Sequence, residues 1–301
     1  MNCKYVDRLM HRLEFPQTQA TYLSSVCEKL CKGYERFIDS RIPFLFESDN
    51  DKLTEIQTQF KYIAEEMNVN PYTLDLIFLL CGCEELENRY YAAGYSEKLF
   101  LDTMKDLKYK LDECLEVEGV AGVFTYGWFL DYYRMKRFYL GRFQFEFIEF
   151  PKFAFSVNGY TVRKGEKVLN MHIPSNGISL TDEVRLGAYK EAYEFFKKDF
   201  PKGYIPMCSN SWLLYPENEK IFPENSNLLK FMHDFAIIDG ADWDGFASQW
   251  RVFGIKDGEV PYEDLPENSS LQRAMKKWVV IHRHHGGGQG IFFFDGEKII
   301  K

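Results

Sequence analysis

The sequence predicts an α+β protein in which a helical bundle, residues 1–139, precedes a mixed α/β domain, residues 140–301. In the first part, apolar side chains recur every three or four residues, which is the spacing of one helix face. After Gly141 they alternate, as in the segment RFQFEFIEF, and alternation is the period of a strand. Residues 166–214 then form a pattern of strand, polar loop, amphipathic helix and strand, which is typical of an α/β unit.

The helical part divides at its capping residues. We predict helices over residues 18–39 and 53–67, a third that Asn70 caps, and a fourth that Ser96 caps and that runs on past residue 107. The third helix contains the run LDLIFLLC, which is apolar all round and is therefore expected at the centre of the bundle. The aromatic segment 128–139 is expected to be the last helix before the first strand.

The centre of the second part is the strand predicted over residues 167–173, in which Leu169, Met171 and Ile173 share one face and His172 lies on the other. A polar loop follows, and Thr181 is the expected N-cap of an amphipathic helix. The next strand is predicted over residues 205–214. Ligands of α/β sheets bind at the carboxyl end of a strand beside a helix N-terminus, so His172 is expected to lie at a ligand site.

The remaining elements come from turn and cap signals. Asn158-Gly159 predicts a hairpin turn, and further elements are expected near residues 226–234 (helix), 235–239 (strand), 269–281 (helix) and 290–294 (strand). The segment His282–Gly290 holds three histidines and four glycines. We expect it to be a flexible turn, because glycine readily adopts positive φ.

Composition excludes several classes of protein. The net charge of −8 and the pI near 5.4 leave no basic surface, so nucleic acid and anionic membranes are not expected as partners. No run approaches the roughly 20 apolar residues of a membrane helix, and the first residues lack an apolar signal core. The seven cysteines, an odd number, are typical of reduced thiols, and we expect a cytoplasmic protein.

Five segments of the second part resemble a family of acyltransferases with a helical N-acyltransferase N-terminal domain and a GNAT-like C-terminal domain. They are LGRFQFE, LNMHIPSNGISLT, CSNSWLLYP, SNLLKF and SLQRA, in that order. The resemblance implies transfer of an acyl group from acyl-coenzyme A, such as acetyl-coenzyme A, to an amine of a small molecule or a peptide, with no metal. One difference is that IPSNGIS, with a single glycine, replaces the Gln/Arg-x-x-Gly-x-Gly loop that cradles pyrophosphate in ordinary GNAT enzymes.

The resemblance also implies roles for individual residues. His172 would be the general base, since histidine side chains titrate near neutral pH. Backbone N–H groups around Met171 and Ile173 would meet the oxyanion, and the strand 205–214 would part from the strand that carries them. A second group of residues would hold the coenzyme phosphates, although turn and capping chemistry is the alternative explanation for them: Ser175, Asn176, Gly177, Ser179 and Thr181.

Cys208 is a candidate nucleophile, and a thiol or hydroxyl on its strand, such as that of Ser211, is a candidate proton donor to the leaving thiolate. The alternative for Cys208 is simple burial, which is common for free cysteines. Two other functions stay open. One is a binding module that keeps the fold without catalysis, and the other is a hydrolase that uses Cys208 or a metal at His282–His285.

Overall fold

The structure is a computed structural model that describes residues 1–47 and 50–301. The chain divides into two compact units, Met1–Phe138 and Tyr139–Lys301. Helices come first and a mixed sheet follows, so the α+β fold class is confirmed. None of the helices in the described ranges has the length and the apolar run that crossing a membrane requires.

The first unit is helical, and local signals place its helices well. Asn70 accepts a hydrogen bond from the Tyr72 N–H, and Ser96 accepts one from the Leu99 N–H, as expected of N-caps. The helix after Ser96 is split at Lys105 into two, where a single one was expected. The α-helices of the first unit are α1 (Cys3–Arg12), α2 (Gln17–Asp39), α3 (Asn50–Met67), α4 (Pro71–Ala92), α5 (Glu97–Met104), α6 (Asp106–Glu118) and α7 (Leu130–Tyr133).

The prediction of a helix over residues 128–139 is wrong. After the short helix α7, Met135 adopts a φ of +53° and the chain enters strand β1 (Arg137–Leu140). This strand pairs with β2 (Phe143–Glu149), and Gly141 makes the turn between them with a φ of +62°. A side chain on Gly141 would also lie 2.7 Å from the Ala188 Cα. The hydrogen bonds of the sheet therefore override the helical spacing of the aromatic residues.

The second unit is built on one sheet of strand order β1-β2-β5-β6-β8-β7, with β9 paired to β8 and a separate β3–β4 hairpin. The hairpin turns at Asn158-Gly159, both at positive φ, as predicted. Thr181, Ser226 and Ser269 cap helices α8, α10 and α12. The elements are β3 (Ala154–Val157), β4 (Tyr160–Arg163), β5 (Lys167–His172), α8 (Asp182–Phe196), β6 (Ile205–Ser211), α9 (Asn218–Ile221), α10 (Asn227–Met232), β7 (Ala236–Asp242), α11 (Gln249–Phe253), α12 (Ser270–His282), β8 (Gly286–Phe294) and β9 (Ile299–Ile300).

The sheet has two different faces. On one face α8 packs against the phenylalanines of β2: Tyr189 stacks on Phe143 with ring centroids 5.6 Å apart, and Phe196 contacts Phe147 at 4.9 Å. The other face carries a buried apolar cluster against which the β3–β4 hairpin packs. Its members are Phe150, Val162, Val168, Cys208, Ile291, Phe293 and Ile300. Because side chains alternate along a strand, the polar residues of β2 belong to this second face.

The glycine-rich segment before residue 290 is not the flexible turn that we expected, because Gly286–Gly290 lie inside β8. The reason is close approach, not positive φ. A Cβ on Gly288 would lie 1.8 Å from the Leu214 carbonyl oxygen, and a Cβ on Gly287 would lie 2.2 Å from the Trp243 ring. Neighbouring chain segments thus pack against both faces of β8 at a distance that only glycine allows.

Candidate active site

The two central strands of the sheet pair only over a short stretch. β5 pairs with β2 along its full length and β6 pairs with β8 along its full length. Between β5 and β6 only two pairs of residues are in register, Leu169 with Met207 and Asn170 with Cys208. One residue further, the Ser209 hydroxyl donates to the Met171 carbonyl at 2.9 Å, and no strand pairing between β5 and β6 follows in the described chain. The sheet therefore opens at the carboxyl ends of these two strands.

A carboxylate and an imidazole meet beside this opening. The Glu146 Oε1 atom of β2 lies 2.7 Å from the His172 Nε2 atom of β5, and the Asn170 amide donates to the same carboxylate oxygen at 3.0 Å. The side chains of Glu146 and His172 are 12% and 22% exposed. The pair is thus mostly shielded from water, so its interaction is screened less than that of a surface pair.

Two side chains contact the same nitrogen of His172. The His172 Nε2 atom lies 2.7 Å from the Glu146 Oε1 atom and 3.0 Å from the Asn170 Nδ2 atom. The carboxylate contact favours a proton on Nε2, whereas the amide nitrogen, which can only donate, favours a lone pair there. Both contacts hold the ring beside the Glu146 carboxylate, whose charge favours the protonated imidazole.

A buried amide lies directly opposite His172. Gln144 is the register partner of His172 in the antiparallel pair of β2 and β5, so the two side chains point from the same face. Gln144 is 0% exposed, and neither its Nε2 nor its Oε1 has a hydrogen-bond partner within residues 1–47 and 50–301. Buried amides are normally hydrogen-bonded, so the Gln144 side chain is an exception that the described residues do not explain.

The loop after β5 is held by an arginine from the β1–β2 turn. The buried Arg142 side chain donates to the carbonyl oxygens of Pro174 and Ile178, each at 2.9 Å. The Asn176 side chain accepts from the Ile178 N–H at 3.0 Å and donates to the Tyr139 hydroxyl. The loop conformation is thus built from contacts inside the second unit.

The other loop residues named from the sequence serve mainly the loop itself. The Thr181 hydroxyl accepts from the Val184 N–H at 3.4 Å, and Ser179 accepts from the Asn227 amide at 2.7 Å. Gly177 and Ser175 are exposed, and Gly177 has a φ of +73°. The first turn of α8 contains Asp182 and Glu183, whose charges oppose an incoming phosphate. Thr181 therefore serves as an N-cap, and the side chains of Asn176 and Ser179 are engaged by other contacts within the protein.

The surroundings of Cys208 and Ser211 do not favour the reactive roles predicted for them. Cys208 is 1% exposed within the apolar cluster, and burial raises the pKa of its thiol to about 12. It is thus a protonated thiol near neutral pH, which argues against a nucleophile. The Ser211 hydroxyl accepts from the Leu213 N–H at 3.2 Å and begins a 3-10 turn.

The histidines before the glycine run point in different directions. His282 stacks on Trp278 at 3.7 Å between ring centroids. His285 is fully buried, binds the Asn218 Oδ1 atom through Nε2 at 3.0 Å, and contacts Tyr215 at 4.7 Å between centroids. Burial lowers the pKa of His285 to about 4. In the described part of the chain, no three His, Cys, Asp or Glu side chains gather as metal ligands would.

Sequence reasoning named His172 but missed its partners. Glu146 and Gln144 were assigned only to the alternating pattern of a strand, although two polar residues on the inner face of RFQFEF were a usable signal. Arg142 carried no signal, because it acts through backbone carbonyls more than 30 residues further along the chain.

Comparison with known proteins gives three results. A model of the N-acyltransferase N-terminal domain matches residues 4–135, and a model of the GNAT-like C-terminal domain matches residues 138–292. No curated protein matches the chain. Among solved structures, an acyltransferase in complex with decanoyl-CoA and teicoplanin has a TM-score of 0.72 at 18% identity, covering 94% of this chain and 86% of that chain.

Two further solved structures are similar. A mutant acyltransferase in complex with octanoyl-CoA has a TM-score of 0.71 at 19% identity, covering 96% of this chain and 87% of that chain. An acyltransferase in complex with CoA and 10C-teicoplanin has a TM-score of 0.69 at 19% identity, covering 94% and 86%. At these identities the likeness shows the fold alone.

Proposed function

We propose that this chain, which belongs to the family that joins an N-acyltransferase N-terminal domain to a GNAT-like C-terminal domain, transfers an acyl group from acyl-coenzyme A to an amine. The observation that carries the proposal is the Glu146–His172 pair beside the point where β5 and β6 part. The likeness to acyltransferases in complex with CoA, decanoyl-CoA and octanoyl-CoA supports acyl-coenzyme A as the co-substrate. The complex that also contains teicoplanin supports a small-molecule acceptor.

In the proposed reaction the amine attacks the thioester carbon directly. His172 takes the proton that the attacking nitrogen loses, and the adjacent Glu146 carboxylate stabilises the resulting imidazolium. The carbon–sulfur bond then breaks, the coenzyme A thiolate leaves, and the proton on His172 returns to it. Backbone N–H groups of Met171 and Ile173 are proposed to meet the oxyanion, since β5 is no longer paired with β6 there.

Gln144 is proposed to touch the reacting groups as well. Its amide lies opposite His172 and offers both a donor and an acceptor that the protein leaves unpaired in the described residues. A primary amine presents a second N–H besides the one that the base removes. The Gln144 Oε1 atom accepting that hydrogen would aim the nitrogen lone pair at the thioester carbon.

The loop at residues 174–181 is proposed to border the coenzyme through the N–H groups of Ser175 and Gly177. Both residues are exposed, whereas the side chains of Asn176, Ser179 and Thr181 are engaged inside the protein. The same observation favours a second candidate, a binding module without catalysis. The single glycine and the acidic first turn of α8 make a weaker phosphate cradle than a Gly-x-Gly loop.

Two measurements distinguish the candidates. Thermal shift with CoA, acetyl-, octanoyl- and decanoyl-CoA measures binding, and release of the coenzyme thiol with a panel of amines, teicoplanin included, measures transfer. Binding with amine-dependent release supports the transferase. Binding without release under all acceptors supports the binding module, and no shift with any of the four compounds contradicts both.

The catalytic pair has a matched control within the chain. His172→Ala and Glu146→Gln are each expected to reduce the kcat of transfer by about 10²-fold or more, because the base or its orientation is lost. Glu219→Gln removes the carboxylate from a second contact of the same kind, between Glu219 and His233 at 2.8 Å, in which both side chains are 51% exposed. That variant should transfer at the wild-type rate. Equal rates for Glu146→Gln and Glu219→Gln would remove Glu146 from the mechanism.

A further inference from the structure

Four cysteines from three helices of the first unit form one thiol cluster. Cys3 lies in the first turn of α1, Cys27 and Cys31 lie on α2, and Cys81 lies on α4. The Cys27 and Cys3 sulfur atoms are 3.1 Å apart. Cys31 and Cys81 lie close enough to influence the pKa values of Cys3 and Cys27, respectively.

Within this cluster, Cys3 and Cys27 are the pair best placed to react with each other. They lie on different helices, and their sulfur atoms are closer than ordinary non-bonded sulfur contact. A disulfide bond is about 2 Å long, so forming one requires a shift of only about an ångström. Cys3 is partly exposed and can meet a reagent from solution, whereas Cys27 is 0% exposed and can be reached only through Cys3.

We propose that Cys3 and Cys27 are a modification site at which a small disulfide, such as glutathione disulfide, forms a reversible cross-link between α1 and α2. The Cys3 thiolate attacks one sulfur of glutathione disulfide, which gives a mixed disulfide and one glutathione thiolate. The Cys27 thiolate then attacks the Cys3 sulfur and releases the second glutathione. The two protons lost by the cysteines are taken up by the two glutathione thiolates, and the reagent is reduced as the pair is oxidised.

The surroundings of the pair determine how it reacts. Burial raises the pKa of Cys3 to about 12, and the contact with Cys81 together with burial raises the pKa of Cys27. Only the thiolate attacks, so the reaction starts slowly near neutral pH and its rate should rise about tenfold per pH unit. Once formed, the disulfide is reduced slowly, because a thiol with a high pKa is a poor leaving group.

Mass spectrometry of the full chain tests this site. Folded protein is incubated with glutathione disulfide at pH 8.5, alkylated and digested with trypsin without reduction. The expected product is a cross-link between the peptides of residues 1–4 and 13–29, which separate Cys27 from Cys31 because the chain is cut after Lys29. Dithiothreitol should remove the cross-link. Cys3→Ser should abolish it, and Cys31→Ser, which leaves the reacting pair intact, should retain it.

Each other outcome overturns the proposal. A cross-link that maps to Cys31 or Cys81, or a mixed disulfide that persists on Cys3, means that Cys27 is not the partner. A product that forms only after the protein is unfolded in urea means that the folded chain keeps the two sulfur atoms apart. The measurement does not use acyl transfer, so its result is independent of the proposed function.

Discussion

The unpaired amide of Gln144 leads to a prediction in which stability and function move in opposite directions. Replacing Gln144 with methionine keeps an unbranched side chain of similar volume and removes both polar atoms. In the free protein these atoms are buried and have no partner in the described residues. The substitution should therefore stabilise the fold while it removes the group proposed to touch the substrate.

The expected size follows from the cost of a buried amide without partners, about 1–3 kcal/mol. The free energy of unfolding of Gln144→Met should rise by about that amount, and the midpoint temperature should rise by about 2–4 °C for each kcal/mol. The kcat/KM of transfer should fall by about tenfold or more, which corresponds to about 1.4 kcal/mol of lost transition-state binding.

The matched control is Gln249→Met, at another glutamine that is 0% exposed. Its Oε1 has no partner among the described residues, but its Nε2 donates to the carbonyl oxygens of Ile255 at 3.3 Å and Lys256 at 2.9 Å, so its removal leaves two carbonyls without that donor. This variant should unfold at a lower temperature than wild type.

Differential scanning calorimetry without ligand, together with coenzyme A release assays, measures both effects. If Gln144→Met loses stability as Gln249→Met does, its amide is paired in solution and the reasoning fails. If Gln144→Met is stabilised but transfers at the wild-type rate, the amide is unpaired but does not contact the substrate.

Two further predictions concern the fold. Gly288→Ala should destabilise the second unit by about 3 kcal/mol or more, because its Cβ would lie 1.8 Å from the backbone oxygen of Leu214. The control is Gly187→Ala in α8, which should be neutral or stabilising because no atom lies within 4 Å of the new Cβ. Equal unfolding temperatures for the two variants would contradict this account. Burial raises the pKa of Asp75 to about 7, well above the unfolded value of about 3.9, so the folded state binds the proton more tightly and the free energy of unfolding falls as pH rises from about 4 to about 7. Asp75→Asn should thus raise the free energy of unfolding by up to about 4 kcal/mol at pH 8 and by much less at pH 4.5, as urea denaturation at both pH values measures; an equal gain at both would show that the carboxyl is not the cause.

Cap and turn residues were predicted most reliably. The N-caps Asn70, Ser96 and Thr181 and the Asn158-Gly159 turn lie where the sequence places them. Each depends on hydrogen bonds or dihedral angles within a few residues, so the information is present in the local sequence.

The wrong predictions have a common origin in contacts between distant residues. The segment 128–139 has helical spacing, but β1 gains a full strand partner in β2. The glycines of β8 resemble a turn by composition, yet contacts with Leu214 and Trp243 require them in a strand. Neither partner segment is visible in a short window of sequence.

The candidate site shows the same difference between local sequence signals and contacts between distant residues. Alternation and position were enough to place His172 at the end of a central strand. Its orientation by Glu146, 26 residues earlier, and the unpaired amide of Gln144 depend on the antiparallel register of β2 and β5. The pairing of β6 with β5 and β8 places Cys208 in an apolar cluster, where burial raises the pKa of its thiol.

The sequence by itself determined the division into a helical half and a mixed α/β half, the faces of the central strands and the family to which the chain belongs, because these follow from local periodicity and from motifs. Only the tertiary structure decided which side chains meet: Glu146 with His172, Arg142 with the loop after β5, and Cys3 with Cys27. Those contacts depend on strand register and helix packing, which join residues far apart in the chain, and the chemistry of the protein depends on them.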